Sequence, residues 1–198
     1  MFEETDFNVF DDPTLSGRLT RIRQDLDPKF EQAGVQLMQH AFAQELPPLT
    51  VHIAKHARRH KNPPVDTWLA LSTSARGYKM LPHIELGFWN DRLFLWVAVL
   101  QEAKTDWPEL STLTPLALSL DASFELSGDH TAQNAALPLT VANLSAQTTR
   151  YQTVKRGEWL IGKTYLRTDP LWQTPTALWA DVLARFDRLL PIYHQLLK

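Results

Sequence analysis

Pro82 to Leu100, PHIELGFWNDRLFLWVAVL, is the stretch on which the fold turns. His83, Glu85, Gly87 and Trp89 alternate with Ile84, Leu86 and Phe88, the period-two pattern of a β-strand. Asn90-Asp91 offers a two-residue connection of a kind that tolerates positive φ, and Arg92 to Leu100 follows as a second run. The spacing predicts a hairpin over 82–100. Both alternate sets of its second arm are apolar, so that arm is expected to be a central strand covered on each face.

Two further strands are predicted upstream. Thr67 to Ser72 sets Trp68 and Ala70 opposite Leu69 and Leu71; Thr50 to Ala57 sets Val51 and Ile53 opposite His52, Ala54 and His56. Before them, Asp12-Pro13 reads as the start of a helix carrying Leu15, Leu19, Ile22 and Leu26. Asp27-Pro28 reads as the start of a second, with a stripe of Phe30, Gly34, Leu37, Met38, Ala41 and Phe42 that Pro47-Pro48 must end. Downstream, Leu110, Leu113, Ala117 and Leu120 have helical spacing that Pro115 interrupts. Ala122 to Leu126 reads as a fifth strand, Leu137 to Val154 as a helix, and Trp159 to Arg167 as a sixth strand. Thr174-Pro175 opens a last helix along Leu178, Val182, Phe186, Leu189, Tyr193 and Leu196, with Pro191 inside it. Helices, a run of antiparallel strands, then helix, strand and helix give an α+β class: one domain over 1–198, a mainly antiparallel sheet of about five to six strands, and N- and C-terminal helices packed on it.

A chain of 198 residues with 44% hydrophobic and 21% charged residues can bury a core of its own. It has no cysteine, which excludes disulfides, thiolate nucleophiles and Cys-ligated metals. The acidic start MFEETDFNVFDD lacks the basic and apolar regions of a secretory signal. The longest apolar run, Leu93 to Leu100, is eight residues, against roughly 20 for a membrane-spanning helix. A cytoplasmic protein without membrane association is expected. With a net charge of −2, attraction for nucleic acid would have to come from a local patch, and nucleic acid is disfavoured as a partner. No cofactor motif stands in the sequence, and oligomeric state is not readable from it.

Charge chemistry concentrates in one place. Four Lys/Arg and three His fall within His52 to Lys61, HIAKHARRHK, and the nearest carboxylates are Glu45 and Asp66. Lys55, Arg58, Arg59 and Lys61 are suited to grip a phosphate or carboxylate, beside the rigid Asn62-Pro63-Pro64 and with Asp66 to orient an arginine. Arg76 and Lys79 would join them if the two loops share one end of the sheet. On a strand, His52 and His56 would share a face and stand near His83 and Glu85, a polar cluster able to donate, accept or transfer protons. The plainer alternative is a solvated loop with structural histidines. Were the segment helical, His52, His56 and His60 would stack as a metal-ligand column; HExxH is absent and the β-branched start favours a strand, so no metal is expected. Asp129-His130 reads as a turn rather than a dyad, and Lys155-Arg156-Gly157-Glu158 as a turn with a surface ion pair. Trp89, Trp107, Trp172 and Trp179 suit core packing better than a docking surface.

HIAKHARR at 52–59, NPP at 62–64, DTW at 66–68, RGYK at 76–79, Pro82-His83, VKRGEWLIG at 154–162 and PKF at 28–30 together resemble the YktB-like family of uncharacterised bacterial proteins, over nearly the whole chain. The resemblance implies a compact cytoplasmic α+β domain of Gram-positive bacteria and carries no reaction or cofactor with it. The matching positions able to form a site are His52, Lys55, His56, Arg58, Arg59, Asn62, Asp66, Arg76, Lys79 and His83; His60-Lys61 departs from the family pattern. The expectation is a binding module for a small anionic ligand, phosphate-bearing compounds being among the candidates. The rivals are an enzyme using His56 or His83 as general acid/base with Glu85 or Asp66 as orienter, and a protein that binds a partner or nucleic acid.

Overall fold

The computed structural model describes residues 1–198. Seven strands form one sheet: β1 (Thr50–Ile53), β2 (Asp66–Ser72), β3 (His83–Trp89), β4 (Arg92–Val99), β5 (Glu125–Ser127), β6 (Leu137–Pro138) and β7 (Trp159–Leu166). Their order is β1-β2-β3-β4-β7-β5-β6, and every neighbouring pair is antiparallel. The hairpin forms as the alternation requires, with Gly87 opposite Phe94 and Glu85 opposite Trp96. Neither Asn90 nor Asp91 takes a positive φ; their side chains instead accept from Gln133, and Asp91 pairs with Arg92 at 2.8 Å. β4 is the middle strand of the seven, buried from Leu93 to Val99, which accounts for its two apolar faces.

The sheet has one strand beyond the upper expectation of six because Leu137-Pro138 pairs with β5 rather than starting a helix. Leu139 N–H donates to Phe124 O (3.0 Å), so the position of Pro138 is the one that would have directed an N–H outward, where a proline loses nothing. Helix α4 (Val141–Thr153) starts only after Thr140, whose hydroxyl accepts from Asn143 N–H.

Helix α1 (Leu15–Arg21) runs without a break through a single π-turn (Ile22–Leu26) into α2 (Asp27–Ala43). Asp27 N–H donates five residues back, to Ile22 O. Asp27-Pro28 is therefore not a fresh start but the exit from that wide turn, which absorbs the amide Pro28 lacks. α2 buries Phe30, Ala33, Gly34, Leu37 and Ala41, while Phe42 is 80% exposed, off the expected stripe. The helix stops before the prolines: Glu45 adopts φ 61° and Leu46 N–H reaches back to Ala41 O (3.1 Å), a left-handed cap built on a glutamate where glycine is usual.

α3 (Thr114–Leu118) is short, with Pro115 in its first turn, and α5 (Pro175–Leu196) closes the chain. On one sheet face, α2 covers β1 and β2, α5 covers β4 and β7, and the two helices meet each other. Their shared core gathers Phe2, Phe7, Phe30, Phe88 and Trp172, with Phe88 edge-on to Phe2 and Phe7 at 5.2 and 5.0 Å. The other face carries Trp89, Phe94, Trp96, Ala98 and Leu160 under the loop 128–136 and no helix. No helix is long and apolar enough to cross a membrane. Trp89, Trp172 and Trp179 are buried and Trp107 is half-buried with its N–H donating to Leu196 O, so packing is their work.

Candidate functional site

The strand expected over 50–57 stops at Ile53. Past it the backbone turns, and His56 takes φ 50°, a left-handed conformation that costs a non-glycine residue about 1–2 kcal/mol. His52 and His56 therefore do not share a sheet face, and the column with His60 does not form. Because β1, β2 and β3 alternate in direction, the loop 54–65 leaves one end of the sheet and the loop 73–82 the other. The premise that both loops open on one end fails for that topological reason, and the ten candidates divide into two groups.

The first group lies on the face opposite the helices. His52 Nε2 meets Ser74 O at 2.8 Å and Ser72 Oγ at 3.3 Å. His83 is wholly buried; its Nδ1 donates to Leu81 O (2.8 Å) and its Nε2 stands 3.1 Å from Glu85 Oε1. Tyr78 closes over it, ring centroids 4.8 Å apart, and accepts a bond from Trp68 Nε1 at 2.8 Å. Burial pushes the Glu85 carboxyl upward, but the bond and charge of His83, with the charges of His130 and Lys79, hold it below its ordinary value. Glu85 is thus the carboxylate and His83 Nε2 the donor. The imidazole and carboxylate meet the reach that proton transfer needs, yet the lid of Tyr78 shields His83 from any solute; the loop 73–82 is fastened to the sheet by the bonds of His83 to Leu81 O, His52 to Ser74 O and Trp68 to the Tyr78 hydroxyl. Arg76 and Lys79 are exposed on that loop.

Across the same face, His130 donates both its backbone N–H (2.8 Å) and Nδ1 to Glu158, which is only 4% exposed. Glu158 is therefore not the surface ion-pair partner of Lys155 or Arg156 that its neighbours in sequence suggested, and His130 pairs with it rather than with Asp129. Burial pulls the His130 pKa down, but the bond to Glu158 and the charges of Glu85 and Glu158 raise it overall.

Of the second group, Lys55 and His56 line a recess of about 340 Å³ where the loop 54–57 meets the π-turn, together with Leu19, Ile22, Arg23 and Asp27 among others, while Arg58, Arg59, Asn62 and Asp66 lie outside its lining. His56 Nε2 lies 3.1 Å from Thr67 Oγ1 and its ring is edge-on to Trp68. Burial, then the charges of Arg59 and Arg23, push its pKa down to about 4, so it is neutral at neutral pH. Lys55, Arg58, Arg59 and Asn62 are exposed, and Asp66 is half-buried at the start of β2. Burial raises the carboxyl of Asp66 against the pull of Arg59. None of Arg23, Lys55, Arg58 and Arg59 enters an ion pair, whereas Arg92, Arg167 and Arg185 all do. Asp27 Oδ1 is buried with no partner, and burial raises its carboxyl in spite of Arg23. Sequence reasoning missed Arg23 and Asp27. Their one signal, opposite charges four residues apart, reads as an ordinary helix-surface pair.

A family model described as "Domain of unknown function (DUF1054)" matches residues 2–193. The chain is 46% identical over 198 residues to a UPF0637 protein of Lacticaseibacillus paracasei, covering 100% of this chain and 98% of that one. It is 44% identical over 199 residues to a UPF0637 protein of Levilactobacillus brevis (100% and 99% covered) and 36% over 202 residues to one of Enterococcus faecalis (98% and 97%). These matches agree with the resemblance carried by HIAKHARR, NPP and DTW, and by the match along its whole length the chain belongs to the DUF1054/UPF0637 family of bacterial proteins of unknown function.

Proposed function

We propose that the chain binds a small anionic group, a carboxylate or a phosphate, at the recess between the π-turn and the loop 54–59. The observation that supports this reading is the set of unpaired cations there: Arg23 and Lys55 stand on the wall of a recess of about 340 Å³, and Arg58 and Arg59 follow on the same loop. That volume lies near the small end of ligand pockets. Neutral His56 adds a ring nitrogen for orientation without a competing charge. Asp27 is the one acid in the lining, and its raised carboxyl gives up its charge more readily than a free aspartate when an anion arrives. Of the residues read from sequence, Lys55, His56, Arg58 and Arg59 belong to this proposal, with Asn62 and Asp66 on the flanking loop and strand; His52, Arg76, Lys79 and His83 do not.

Amide and side-chain NMR spectra recorded with inorganic phosphate, acetate and a sugar phosphate test it. The expected result is saturable shifts at Arg23 and 55–59 that are lost in Lys55→Ala and Arg23→Ala, each still folded. Shifts absent at millimolar ligand, or equal in the variants, would remove the reading.

A further inference from the structure

β1 lies at the border of the sheet and pairs only with β2. Ala54 N–H donates to Trp68 O at 2.9 Å, which fixes Ala54, His52 and Thr50 as the residues that exchange bonds with β2. By alternation, Val51 and Ile53 direct their backbone N–H and C=O groups to the open side. Along that side runs a groove of about 460 Å³ between β1 and α2, lined by Asp27, Glu31, Val35, Val51, Ile53 and Lys55. Val35 projects from α2 with 51% of its surface exposed. The groove shares Asp27 and Lys55 with the cationic recess, so the two are continuous.

We propose that this groove and recess together take an extended peptide that ends in a free carboxylate, adding as an eighth strand to the open side of β1. Backbone bonds to Val51 and Ile53 hold the peptide, and alternate apolar side chains face Val35, Val51 and Ile53. Its terminal carboxylate reaches Arg23 and Lys55. Lys55 lies beyond the C-terminal end of β1, so the carboxylate fits there only if the peptide runs parallel to β1. β1 spans four residues, about 13 Å at roughly 3.3 Å each, so about four peptide residues are held. Glu31, one turn along α2 from Asp27, disfavours an acidic side chain upstream of the carboxylate. A second strand-bearing copy would satisfy the backbone groups, but it would leave the cations of the recess unmatched. The inference rests on the anion recess proposed above and names what brings the anion there.

The test uses the whole chain and the acetylated peptide Lys-Val-Lys-Val-Val with a free carboxylate, its C-terminal amide, the same peptide N-methylated at alternate amides, and N-acetylvaline as the bare anion. Calorimetric titration is expected to give the carboxylate peptide an affinity at least about tenfold above N-acetylvaline, with at least about tenfold lost on amidation and on N-methylation. Val51→Pro removes an outward N–H while leaving the ladder to β2 intact, and should weaken the peptide without weakening inorganic phosphate. If N-acetylvaline and phosphate bind but the peptide gains nothing over them, or if the amide binds as well, the peptide proposal falls and the anion reading stands. If no anion binds, both fall.

Discussion

His83 and Glu85 form a pair with no access to water, and that isolation makes their contribution measurable. In His83→Leu the Glu85 carboxylate keeps only the more distant charges of His130 and Lys79. Removing one partner of a buried pair costs about 3–5 kcal/mol, and the two remaining cations place the value at the low end, about 3 kcal/mol. For a chain of this size that lowers Tm by about 6–12 °C. Replacing both, as His83→Leu with Glu85→Met, removes the stranded charge with the pair, and the double variant should sit within about 1–2 kcal/mol of the parent. Urea unfolding at constant m value, followed by tryptophan fluorescence, reads all four corners of the cycle. The pH dependence carries a sign. Glu85 titrates lower in the folded chain than its ordinary 4.5. Its stabilisation is therefore present above that value and lost as pH falls through the lower folded one. His83→Leu should flatten this acid limb. A single variant costing less than about 1 kcal/mol, or a double costing the sum of the singles, would refute the claim that charge isolation dominates.

His56, titrating at about 4 rather than 6.5, should cost the parent stability as pH falls from 6.5 to 4, where the unfolded chain takes up a proton the native one refuses; partial solvent contact limits this to about 2 kcal/mol. His56→Asn, which tolerates left-handed backbone, should remove the slope in that window, and urea midpoints across pH will show whether it does. Phe88→Ala, emptying the ring-packed centre of the core, should cost about 4 kcal/mol without changing anion shifts at 55–59, as thermal melts and NMR together would report. Glu45→Gly should gain about 0.5–1 kcal/mol in the same melts by relieving the left-handed cap, and a loss would mean that the glutamate side chain has a role of its own.

The hairpin and the helices of the core face were legible because period and burial coincide there: Ile84, Leu86 and Phe88 had nowhere to go but inward. Where the sequence misled, a local signal had two structural outcomes. Asp27-Pro28 fits both a helix start and the exit from a π-turn. Val51, Ile53 and the apolar Ala54 fit a long strand, and only the turn at His56 shortens it. The site suffered most, because face and end are properties of topology. His52 and His83 lie on one face, while Lys55 and His56 went to the opposite end, where they share a recess with Arg23 of the π-turn and Asp27 of α2, residues far earlier in the chain that carry no shared motif with them. Glu158 was misread as a surface residue because its partner His130 lies 28 residues away in the chain, and the pair left no signal in sequence.

The two borders of the sheet are not equivalent. Pro138 stands where β6 would otherwise have offered a hydrogen outward, and that strand is two residues long, so nothing can zip onto it. Growth through strand pairing is left with β1 alone. A molecule with one open flank can form a pair or accept one added strand but cannot propagate by strand pairing, so the proline at the other border works against fibrous self-assembly.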